Sequence, residues 1–134
     1  EAFLGIHQFI NFSTNTPLQY ALADFMRDDP RHHLDLAGFY QRKRDLFRDL
    51  LAPSPFRLLP SAGTFFQLAD YSDLSNLPDR EFAAWLTREH GVAVIPISVF
   101  YQDPPDQRII RFCFAKTDET LREAAQRLAN VTTL

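Results

Sequence analysis

The stretch Ile109-Ile110-Arg111-Phe112-Cys113-Phe114, running on through Ala115-Lys116-Thr117-Asp118-Glu119-Thr120-Leu121, decides how this chain folds. Its first half is a run of β-branched and aromatic residues behind the turn-like Asp103-Pro104-Pro105-Asp106, the pattern of a buried strand. Its second half starts a helix. Thr117 or Asp118 can cap, and Asp118 and Glu119 place negative charge in the first turn, where the helix dipole favours it. Period-two alternation sets Arg111 on one strand face with Ile109 and Cys113, and Ile110, Phe112 and Phe114 on the other. A guanidinium cannot shed its charge, so burying it is costly unless a carboxylate or phosphate meets it. Either a fixed acidic partner waits on the Arg111 face or an anionic ligand arrives there. Cys113 reads as a small buried hydrophobe.

Around this strand the pattern switches between helical and extended periods. Residues 1–9 read as the end of a helix, with His7 in a structural hydrogen bond, and residues 9–15 as an irregular connection. Thr16-Pro17 starts a helix, a hydroxyl cap followed by proline where its missing N–H costs nothing, and Asp28-Asp29-Pro30 ends it. A longer helix is expected over 35–51, burying Leu36, Phe39, Tyr40, Phe47, Leu50 and Leu51 before Pro53. Residues 56–59 and 64–69 form a hairpin whose turn lets Gly63 take positive φ. A helix over 79–90 turns Phe82, Ala83 and Leu86 inward and stops at Gly91. Residues 92–95 read as a buried strand, 98–107 as a loop, and 118–131 as the last helix. From Asp35 onward the order is helix, strand, strand, helix, strand, strand, helix. That order implies an α+β layer, a small, mostly antiparallel or mixed sheet covered by helices.

Composition narrows the function classes. With 134 residues, 46% of them hydrophobic, the chain can build a core, and a net charge of −3 with interspersed signs argues against nucleic-acid and membrane-surface partners. The basic run Arg42-Lys43-Arg44 meets Asp45 and Asp49 and reads as a solvated helix face. One cysteine, no leader pattern and no apolar stretch of spanning length lead us to expect a cytoplasmic protein. Four histidines lack metal-ligand spacing, and four glycines compose no phosphate-cradling motif. The opening Glu1-Ala2, with Met26 the single methionine, fits a fragment.

Several strings share one resemblance, in order: His7-Gln8-Phe9, Phe12-Ser13-Thr14-Asn15-Thr16-Pro17-Leu18-Gln19, Gly63-Thr64-Phe65-Phe66, Glu89-His90-Gly91-Val92-Ala93-Val94-Ile95-Pro96, Ser98-Val99-Phe100-Tyr101 and the Arg111 strand. Together they resemble the C-terminal part of class I/II (fold-type I) pyridoxal-phosphate-dependent aminotransferases, more narrowly the methionine/kynurenine branch, essentially end to end. The resemblance implies that residues 1–33 are the last piece of the large cofactor-binding domain and residues 34–134 the small C-terminal domain. It implies an enzyme, homodimeric when intact, that moves an amino group from a methionine-like, aromatic or kynurenine-like amino acid to a 2-oxo acid. Arg111 would then grip the substrate carboxylate, and Phe12 would line the side-chain pocket. Ser13 departs from the histidine of several relatives. Phe66 and residues 98–101 lie where they could approach the pocket, with core packing the preferred reading for Phe66.

The cofactor is held through a lysine as a Schiff base, and this chain has two, Lys43 and Lys116. Neither stands in the family's lysine motif. The expectation is therefore no catalytic and no cofactor-binding residue here, and no activity or bound pyridoxal phosphate for these residues alone. The missing lysine also keeps open a non-enzymatic α+β module that binds an anionic small molecule or a protein partner.

Overall fold

The computed structural model describes residues 2–134 and divides the chain into two compact units, one up to Ala37 and one over Gly38–Leu134. Five helices are α1 (Ala2–Ile10), α2 (Thr16–Asp28), α3 (His32–Leu51), α4 (Asp79–His90) and α5 (Asp118–Ala129). The strands are β1 (Arg57–Leu58), β2 (Phe66–Asp70), β3 (Ile95–Pro96) and β4 (Ile109–Cys113), with a 3₁₀ turn at Ile97–Phe100.

In the first unit the α2 cap is Asn15 and not Thr16. Its side-chain oxygen accepts the Leu18 N–H at 3.3 Å, leaving Pro17 in the first turn where no donor is needed. The His7 ring stacks on Phe3 with centroids 5.7 Å apart, in place of the expected hydrogen bond.

The second unit is an α+β layer, as the element order predicted. Its sheet runs β1-β2-β4-β3 with every neighbouring pair antiparallel. Ile110, Phe112 and Phe114 are buried, and with them Ala69, Phe47 and Leu51 of α3, Phe82, Ala83 and Leu86 of α4, and Leu121, Ala125 and Leu128 of α5. Within this unit α3, α4 and α5 thus pack on one sheet face. Phe112 is met edge-on by Phe47 and Phe56, at 5.8 and 5.6 Å, and Tyr71 stacks on Phe82 at 3.9 Å. Such aromatic pairs contribute about 0.5–1.5 kcal/mol each beyond their buried area.

Three expectations are corrected, and one buried polar residue is added. Leu36 and Phe39 stay 37% and 42% exposed, so the buried stripe of α3 narrows to its C-terminal half, where the sheet lies beneath Phe47 and Leu51. Thr64, not Gly63, takes positive φ in the β1–β2 connection, at 67°. Val92 and Val94 are buried without strand pairing, because β4 is joined only by Ile95 and Pro96. Gln67 is fully buried on the core face of β2 and satisfied: its Nε2 donates to the Leu59 and Leu68 carbonyls and its Oε1 accepts from Arg48 at 2.8 Å. Gly91 does end α4 in the left-handed region, at φ 66°.

Candidate functional site

The site is built on the open face of the sheet. The alternation along β4 holds: Ile110 and Phe112 are buried while Ile109 and Arg111 are half-buried and Cys113 is exposed. Cys113 is therefore not the buried hydrophobe expected from its neighbours. It shares the Arg111 face, which α3, α4 and α5 leave open. Antiparallel register sets Arg111 between Leu68 of β2 and Ile95 of β3. Phe66, two residues before Leu68, is the diagonal neighbour within reach of a long side chain.

The guanidinium carbon lies 4.7 Å from the centroid of the Phe66 ring and 5.1 Å from that of Phe100. Phe66 thus belongs to the arginine face and not to the core. Phe100 arrives on the 3₁₀ turn that follows β3. Contact with ring faces is favourable for a guanidinium and leaves its in-plane N–H groups available for a planar acceptor. Among the described residues no carboxylate lies within 4.0 Å of Arg111, and its guanidinium donates no hydrogen bond to another side chain or to the backbone. Of the two readings the sequence left open, a fixed acidic partner is not found among the described residues.

Neighbouring charges are already engaged. Arg57 pairs with Asp70 on the same sheet face. Burial alone would raise the Asp70 carboxyl, but hydrogen bonds from Ser72 and the Arg57 guanidinium together hold it below the usual carboxylate value. The Asp79 carboxylate accepts both the N–H and the Oγ–H of Ser98, at 2.7 and 2.6 Å, at the base of the turn that carries Phe100. Phe12, the other residue expected at the site, belongs to the first unit, in the connection between α1 and α2, and is 90% exposed.

Residues 1–128 match the family described as aminotransferase class I and II. The chain belongs to that family. It is 53% identical over 123 residues to the methionine aminotransferase of Escherichia coli, covering 92% of this chain and 32% of that protein. It is 32% identical over 149 residues to a kynurenine–oxoglutarate transaminase of Dictyostelium discoideum, covering 95% of this chain and 34% of that protein. Among solved structures, an E. coli protein described as having a methionine aminotransferase function aligns with a TM-score of 0.85 at 52% identity, over 93% of this chain and 33% of that one. N-succinyldiaminopimelate aminotransferase of Mycobacterium tuberculosis aligns at 0.80 and 34% identity, over the same 93% of this chain and 33% of that one. The chain therefore spans about a third of the length of the aminotransferases it matches.

Pyridoxal phosphate is the cofactor of this aminotransferase family, and the described residues do not compose a site for it. Lys43 is paired with Asp118, and its ammonium also faces the Phe39 ring. Lys116 stands at the β4–α5 junction on the wall of a shallow cavity that Thr120, Glu123 and Arg127 also line, and there Arg127 is already paired with Glu123 and donates to the Gly91 carbonyl. The first turns of α4 and α5 each hold two carboxylates, Asp79 and Glu81, Asp118 and Glu119. Those helix N-termini are already compensated and repel a phosphate.

The sequence put Phe66 and residues 98–101 where they could approach the pocket, but it did not show three contacts: Phe66 with Arg111, Phe100 with Arg111, and Asp79 with Ser98. Each joins residues ten or more positions apart, beyond the reach of any local pattern.

Proposed function

We propose that this chain supplies the substrate-carboxylate contact of an aminotransferase that moves an amino group from a methionine-like, aromatic or kynurenine-like amino acid to a 2-oxo acid. The observation that carries the reading is Arg111, a half-buried guanidinium held between two aromatic rings with no protein acceptor among the described residues. A substrate α-carboxylate is planar and anionic and takes two parallel N–H···O bonds from such a fork, which a lysine cannot supply. The names of the relatives support the choice of donors and the 2-oxo acid acceptor.

In this reading residues 1–33 continue a large domain and residues 34–134 form the small one. The cofactor is bound by residues of the whole protein outside this chain, and the working enzyme is a cytoplasmic homodimer in which Phe12 lines the side-chain pocket. The isolated chain is then inactive. Amino transfer from methionine, an aromatic amino acid and kynurenine to a 2-oxo acid, assayed with the full-length protein, tests the activity, and no turnover with any donor overturns it. Borohydride reduction of the isolated chain with added cofactor tests the rest. Stoichiometric label on Lys43 or Lys116, together with turnover, contradicts the assignment of the cofactor to other residues.

A further inference from the structure

Phe100 is 60% exposed, and its neighbours Val99 and Tyr101 are 45% and 48% exposed, so burial does not hold this ring against Arg111. What fixes the turn at its start is Ser98. Its N–H and its hydroxyl both donate to the two carboxylate oxygens of Asp79, at 2.7 and 2.6 Å, and its carbonyl accepts the Tyr101 N–H at 3.2 Å. The Arg80 Nε adds a longer contact to the same hydroxyl, 3.4 Å. Asp79 does not cap its own helix, since the cap position is Pro78 and makes no side-chain bond. Its carboxylate is spent on the turn. A charged acceptor with two donors from one residue is among the stronger hydrogen-bonded arrangements and fixes orientation as well as distance.

We propose that Asp79 and Ser98 form a latch that positions Arg111 for its ligand by holding Phe100 on the guanidinium. Asp79 is a positioning residue, acting through Phe100, and touches no ligand itself. The inference rests on the carboxylate-binding reading of Arg111.

The test uses the full-length protein and 3-phenylpropanoate, a simple carboxylate with an apolar tail, as the probe. Asp79→Ala and Phe100→Ala each weaken binding of the probe by about 3- to 10-fold, the size of one cation–π contact. The double variant is no weaker than either single one, because both remove the same contact. Asp79→Asn keeps an acceptor for Ser98 and recovers most of the affinity. Glu81→Ala removes the other first-turn carboxylate of α4 and so matches the helix-dipole loss, yet leaves binding unchanged. Multiplying effects in the double variant, or equal losses from Glu81→Ala and Asp79→Ala, overturn the latch. A second readout needs no ligand: the rate at which phenylglyoxal labels Arg111, followed by peptide mass spectrometry, rises several-fold in Asp79→Ala and not in Glu81→Ala. An unchanged labelling rate also overturns the latch. If Arg111→Ala leaves probe binding intact, the carboxylate reading fails instead, and the labelling rates still decide the latch.

Discussion

The guanidinium of Arg111 lies over the Phe66 ring, 4.7 Å from its centroid, although the two residues are 45 positions apart and on different strands. Antiparallel pairing sets Phe66 opposite Cys113 and Leu68 opposite Arg111, so the ring and the charge meet on a diagonal. The Phe100 centroid lies 5.1 Å from the same guanidinium carbon, on a sheet face that α3, α4 and α5 leave open.

Arg111→Ala in the full-length protein should damage catalysis far more than folding. With no internal carboxylate partner, its removal costs the fold about 1 kcal/mol or less. Losing one member of a desolvated charge pair costs ligand binding about 2–5 kcal/mol, or roughly a 30- to 5,000-fold fall in kcat/KM. Lysine at this position recovers only part of it. Melting temperature and kcat/KM measured on one preparation check the contrast, and a large stability loss with near-normal turnover contradicts it.

Phe66→Leu keeps the apolar bulk and removes the ring face. The expected outcome is about a 2- to 5-fold rise in KM, the worth of a partly exposed cation–π contact, with kcat little changed. Phe66→Tyr should restore the parent KM, and steady-state kinetics of the three proteins decide it.

Gln67→Leu should destabilise without touching carboxylate binding. It removes one of two acceptors of Arg48 and the amide donor to the Leu59 and Leu68 carbonyls in a fully buried position. The lost hydrogen bonds together cost about 1–3 kcal/mol, which urea unfolding of the variant and parent reads directly. An unchanged midpoint contradicts the network's role.

Asp70 predicts an acid-side loss of stability. Its folded carboxyl titrates below the ordinary value of 3.8, so the folded state binds its proton more weakly than the unfolded chain does. The contribution is therefore fully present above about pH 4 and is lost as pH falls through the lower, folded value. Asp70→Asn should flatten the stability profile below pH 4 relative to the parent while leaving the slope at pH 6–8 unchanged.

Local chemistry made much of this protein legible in its sequence. Proline at the start of α2, threonine before α5, glycine after α4 and the two-residue alternation of β4 all act within a few residues, and each stands where its pattern placed it. The alternation also separated Arg111 from Phe112. It could not say which face the helices would cover, because that depends on where α3, α4 and α5 pack, and a strand pattern is symmetric until one side is buried. The tertiary structure alone decided that Cys113 is exposed, that Gln67 is buried and satisfied, and that Phe66 leaves the core to meet a charge. It alone brought Phe100 to Arg111, through a turn anchored on Asp79 nineteen residues before Ser98. A charge and its partners are chosen by distance in space, and only packing converts position along the chain into that distance.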